Sequence, residues 1–185
     1  MQEKIEGRYA SGEMRFAAGI FLVVLCGCDR APDYPVPAQS PAVENVALPG
    51  ARVVEMEEPG LMLRVVRDIS PDLTSNWRWG FQRPALRLRV RETENLKFVI
   101  DYAVPEITFK DTGPVTIAFS VNDHVLDRVR VTAPGAQHFE KPVPAEWMAP
   151  DQDAIVGGEI DKMWPSPGDG KPFGFIITRM GLARR

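Results

Sequence analysis

The chain has 185 residues, enough for one domain, and its 15 glycines and 17 prolines suit strands, turns and a tether better than a helical bundle. Charged residues make up 25% of it with a formal net charge of -3, so there is no general electrostatic attraction to nucleic acid phosphates. Its only cysteines, Cys26 and Cys28, both precede Asp29, which excludes a disulfide framework and a cysteine metal knuckle from the rest of the chain.

In chain order the first feature is a ten-residue apolar run from Phe16 to Leu25, preceded by Arg15. A membrane-crossing helix needs about 20 apolar residues. The run instead has the length and basic flank of a signal-peptide apolar region, with a short core helix as the alternative. It ends in Leu25-Cys26-Gly27-Cys28: an aliphatic residue, a tolerant position, a small residue, then cysteine. This order resembles the lipobox of bacterial lipoproteins. The resemblance implies that residues 1–27 are removed as a signal peptide and that Cys28 is lipidated on its thiol and at its new amino terminus. Several acyl chains anchor stably where one binds only marginally. The expected address is therefore the cell envelope, with the domain outside the cytoplasm and lipid in the inner or outer membrane. Glu3, Glu6 and Glu13 give the segment before Met14 an acidic character unlike a signal start, and translation from Met14 would place Met-Arg directly before the apolar run.

Residues 28–50 carry Pro32, Pro35, Pro37, Pro41 and Pro49 without apolar periodicity. They read either as a polyproline tether, reaching up to about 60 Å at about 3.1 Å per residue, or as a plain disordered leader.

Residues 51–185 form the expected domain. Strands are predicted over 52–56 and 61–67, around Glu58-Pro59-Gly60. Leu86, Leu88 and Val90 then alternate with Arg87, Arg89 and Arg91. Leu96, Phe98, Ile100 and Tyr102 alternate with Lys97, Val99 and Asp101, and Val115, Ile117, Phe119 and Val121 with Thr116, Ala118 and Ser120. Such alternation turns one face to a core and the other outward. Asn122-Asp123 predicts a tight hairpin into a strand over 125–131, because both residue types tolerate positive φ. A strand over 154–163 with a bulge at Gly157-Gly158 follows, then a closing strand over 173–178. No stretch shows sustained helical periodicity. Turns recur about every 8–12 residues, which predicts an all-β, antiparallel, jelly-roll-like β-sandwich of about 8–10 strands.

The stretch from Val115 to Val131, a strand, an Asn-Asp turn and a strand, resembles the central hairpin of galactose-binding-like β-sandwiches, with 96–103 as its flanking strand. Many members of that group are carbohydrate-binding modules, so the resemblance implies a non-catalytic binding domain for an envelope glycan. The competing reading is a structural or partner-binding lipoprotein whose target is an envelope protein. A hydrolase ranks behind both, because no catalytic constellation stands out.

The ligand-binding candidates are Trp77, Arg78, Trp79, Arg87, Arg89, Asn122 and His124. Trp77 and Trp79 share one face of a strand, with Arg78 on the other. They read either as a stacking platform for a sugar or as plugs for the end of the sandwich. The arginine row, possible ligand for anionic headgroups, acidic polysaccharide or a partner carboxylate, also reads as a solvated face paired with Glu92, Glu94 or cross-strand acids. His124 and His138 are the only histidines and sit at no zinc spacing. No metal or cofactor is expected.

Overall fold

The computed structural model describes residues 52–168 and 170–185, all inside the unit Val43–Arg185. The expected signal peptide, Cys28 and the proline-rich segment lie outside the described residues. The chain forms β1 (Val53–Glu55), β2 (Val65–Ile69), β3 (Arg78–Val90), β4 (Leu96–Val104), α1 (Glu106–Thr112), β5 (Val115–Val121), β6 (His124–Val131), β7 (Gly135–Pro142), β8 (Gln152–Ile160), β9 (Trp164–Pro165), β10 (Pro172–Phe173) and β11 (Phe175–Arg184). Nine strands join one antiparallel sheet in the order β6-β5-β8-β3-β11-β4-β7, with β1 added to β11 and β2 to β3, while β9 and β10 pair separately. The all-β antiparallel sandwich read from the alternation is the observed fold.

A single continuous sheet makes two layers because β3 changes partner along its length. Arg78 to Gly80 pair with Ile177 to Phe175 of β11. Ala85 to Val90 pair with Gly157 to Gln152 of β8. Between them lies buried Pro84, which has no N–H to give a ladder. One layer thus holds the start of β3 with β11, β4 and β7; the other holds its end with β8, β5 and β6. The layers meet through Phe119 of β5, stacked on Phe139 of β7 at 4.5 Å and lying 5.7 Å and 5.4 Å from Phe98 and Tyr102 of β4. Full burial of each such ring contributes about 1.5–3 kcal/mol. The terminal strands also approach, with Lys141 Nζ donating to Asp127 Oδ2 at 2.8 Å. An exposed ion pair adds little, so the aromatic core holds this near-barrel together.

Local chemistry explains most element boundaries. The hairpin β5-β6 turns on Asn122 (φ 47°) and Asp123 (φ 67°), as predicted. It lies at the end of the sheet path, and β4 faces β5 across the core rather than flanking it. The strand predicted over 61–67 begins only at Val65, because Gly60 (φ 79°) starts a 3-10 turn, Leu61–Leu63, that buries Leu61. The absence of helical periodicity hid α1, a seven-residue helix opened by Pro105 and stopped by Gly113 (φ 65°). Unpredicted β7 is an edge strand whose inward face holds few apolar side chains besides Phe139, so it has no apolar alternation. The closing strand breaks at Gly174 and then continues to Arg184.

There is no bulge at Gly157-Gly158: both residues stay in continuous register with β5, and Gly157 is the last residue of β8 paired with β3. Glycine is required at 157 for close approach instead. A Cβ on Gly157 would stand 2.3 Å from Pro84 O, and one on Gly174 would stand 2.3 Å from Phe81 O. Both glycines abut the segment where β3 changes partner. Gly157→Ala and Gly174→Ala are therefore expected to cost at least about 2 kcal/mol each, lowering the melting temperature of residues 43–185 by about 5–10 °C. Gly158→Ala, whose nearest obstacle is the Phe119 ring at 3.2 Å, should cost less in the same thermal melts.

Candidate functional site

The alternation of β3 sets the site. Arg78 and Gly80 are buried, while Trp77, Trp79 and Phe81 lie half-buried on the opposite, outer face. Trp77 and Trp79 meet edge to face at 5.8 Å, Trp79 lies 4.8 Å from Phe173 of β10, and Phe173 lies 5.8 Å from Phe81. Ile176 of β11, directly opposite Trp79, extends the patch. The rings cover one another on the surface of the sheet; they do not plug the end of the sandwich. Beside Phe81 opens a cleft of about 420 Å³ lined by Asp68, Gln82, Met163, Lys171 and Pro172. Asp68 (φ 57°) is fixed there by accepting the Arg83 N–H at 2.8 Å. Apolar walls with a few oriented polar groups, at this volume, are the usual make-up of a small-ligand site.

In the sequence Phe81 groups with Trp77 and Trp79 as the densest aromatic cluster, but Phe173 and the cleft residues are not legible as parts of the same site. Trp79 and Phe173 are far apart along the chain, and only the return of β10 and β11 beside β3 joins them. The signal available was the shared parity of Trp77, Trp79 and Phe81.

Arg78 faces the interior, away from the aromatic patch. Its side chain is buried, with Nε donating to Met56 O at 2.8 Å and Nη1 to Ser70 O at 3.4 Å and to Pro71 O. A buried guanidinium must fill its donors, and here backbone carbonyls do so, tying the ends of β1 and β2 to β3. Asn122 is likewise committed: its Oδ1 accepts from Ile155 N and its Nδ2 donates to Trp147 O, at 2.8 and 2.7 Å. His124 is exposed and stacks on Trp147 at 4.8 Å. These two form a separate cluster around the hairpin, with no contact to the Trp77–Trp79 patch. Arg87 and Arg89 point to solvent and share Asp153 of β8, each at 3.8 Å. The cross-strand acid is their partner; Glu92 instead binds Arg184 at 2.5 Å.

His138 belongs to a third surface group. Its Nδ1 donates to Asp101 Oδ1, its Nε2 lies 3.5 Å from Glu140 Oε2, Arg179 Nε donates to Asp101 Oδ2 at 2.5 Å, and Lys97 Nζ donates to Glu140 at 2.7 Å. The ring thus lies between two carboxylates on the surface of the sheet. Among the described residues, no three His, Cys, Asp or Glu side chains come together as a metal site requires. Partial burial raises the Asp101 pKa, but hydrogen bonds and charge from His138 and Arg179 outweigh it and hold the carboxyl below its ordinary 3.8. A carboxylate with a depressed folded pKa stabilises above its unfolded value, and that stabilisation disappears as pH falls through the folded one. Asp101→Asn should therefore lower the denaturation midpoint at pH 7, with the difference from wild type narrowing steadily below pH 3.8.

No family model matches the sequence, and no curated protein matches it. Among solved structures, the chain is similar to the native structure of a family 35 carbohydrate binding module from Clostridium thermocellum, at 4% identity and a TM-score of 0.44, covering 74% of this chain and 99% of that one.

Proposed function

We propose that the protein is a non-catalytic, glycan-binding β-sandwich, exported and held on an envelope membrane by lipid on Cys28. The half-exposed ring set Trp77, Trp79, Phe81 and Phe173 is the observation that carries the binding reading. A pyranose has one face of C–H bonds and an equator of hydroxyls. Rings fixed against one another accept the C–H face without losing rotamer freedom, and Asp68, Gln82 and Lys171 line the adjoining cleft where the hydroxyls would lie. Among the described residues the cleft is lined by one carboxylate, Asp68, already bonded to the Arg83 N–H. Glycoside hydrolysis needs a pair of them, so the site favours retention over cleavage. The anchoring half of the reading rests on Leu25-Cys26-Gly27-Cys28 and the apolar run before it.

Residues 43–185 on a glycan array should bind saturably. Trp79→Ala should weaken binding about tenfold or more, equivalent to about 1.4 kcal/mol, with the thermal melt showing the variant folded. Absence of binding across a broad array, or full binding by folded Trp79→Ala, would sink the glycan reading. For the anchor, cells grown with labelled fatty acid should label the full chain and not Cys28→Ser, which should leave the membrane fraction.

A further inference from the structure

A second surface lies in the segment that leads into β2. In the turn after Gly60, Leu61 is buried as an anchor while Leu63 is 92% exposed and Met62 41%; Val66, just beyond, is 37% exposed. The turn is braced: Leu63 N donates to Gly60 O at 3.0 Å, Arg64 N to Leu61 O at 2.8 Å, and Arg87 N to Arg64 O at 2.7 Å. Met62, Leu63 and Val66 together leave a small apolar tip uncovered at the surface. The last of these bonds sets Arg64 across from Arg87, so the apolar tip stands at the edge of the arginine row. Arg64, Arg67 and Arg91 make no ion pair among the described residues, and Arg87 and Arg89 share the single carboxylate of Asp153. The acids next to the turn are Glu55 and Glu57, both exposed, and Glu58, which is held by Arg52 at 2.6 Å; Arg67 shares a cleft with Asp123 and Glu159, and Arg91 one with Glu92 and Glu94.

We propose that this tip and its arginines dock the domain on an anionic lipid bilayer, with Met62 and Leu63 inserted among the acyl chains and the guanidinium groups at headgroup level. Two features of the surface select a bilayer over a protein. Three apolar side chains fall far short of the about 800 Å² per partner of a standard protein interface. Insertion of a small apolar element flanked by long cationic side chains is what an anionic interface rewards. The geometry also suits the proposed glycan site without depending on it. From Trp79 to Arg87 the strand runs up to about 26 Å at about 3.3 Å per residue, so a domain seated on its turn keeps the aromatic patch off the membrane.

The test is co-sedimentation of residues 43–185, which carry no anchor, with vesicles of phosphatidylcholine alone or of phosphatidylcholine and phosphatidylglycerol in equal parts. Binding is expected to the mixed vesicles only and to weaken at high salt. Arg67→Gln should reduce it about fivefold, and Leu63→Ser should reduce it at least as much. Neither substitution touches the core, so thermal melts should match wild type. Trp79→Ala should bind vesicles normally, which separates this result from failure of the glycan reading, since the vesicles contain no sugar polymer. No binding to anionic vesicles, or binding indifferent to Leu63→Ser, would overturn the proposal. So would a dimer in solution that Leu63→Ser dissociates, which would assign the turn to a second copy of the chain.

Discussion

The structure depends on the exchange of partners along β3. An antiparallel strand can have only one neighbour on each edge at each point, so a strand that pairs first with β11 and then with β8 must carry the chain from one layer to the other. That passage requires neighbouring backbones to come closer than side chains allow. Gly157 and Gly174 supply the space, one beside Pro84 O and one beside Phe81 O. With the passage in place, the inner faces of β4, β5 and β7 meet around Phe98, Phe119 and Phe139, and the strand ends β6 and β7 come within reach of an ion pair.

The same strand carries both surfaces of functional interest. At its start, Arg78 turns inward and gives its donors to the carbonyls of Met56, Ser70 and Pro71. Because side chains alternate, an inward Arg78 obliges Trp77 and Trp79 to face outward, where Phe173 and Ile176 fix them. A buried cation thus orients an exposed aromatic patch. At the other end Leu86, Leu88 and Val90 fill the core, and their alternation sends Arg87 and Arg89 to the surface beside the exposed turn at Leu63.

Charge is unevenly satisfied over the surface. On β4, β7 and β11 the carboxylates are matched: Asp101 lies between His138 and Arg179, and Glu140 lies between Lys97 and His138. Asp127, held low by Lys141 and the Arg128 N–H, joins the two terminal strands in the same manner. On β2 and the end of β3 cations outnumber their partners. A net charge of -3 for the whole chain conceals this local excess, because composition records how many charges there are and not which of them are neighbours.

Local pattern was enough to determine a good deal. Alternation identified β4, β5 and the latter half of β3; Asn122-Asp123 identified a hairpin; shared parity placed Trp77 and Trp79 on one face and Arg78 on the other. These follow from the two-residue period of a strand and the φ tolerance of Asn and Asp, both properties of neighbouring residues. The tertiary structure decided the rest. Period two says which residues share a face but not which face is covered, and it is the ends of β1 and β2 that bury Arg78. The Gly157-Gly158 pair read as a bulge because the approach of Pro84 is a contact between distant segments. Strand β7 shows no apolar rhythm because an edge strand over a nearly closed core needs little more than Phe139 inside. The complete ring set and the cleft by Phe81 exist only where β10 returns beside β3, a juxtaposition set by sheet order and not by any run of adjacent residues.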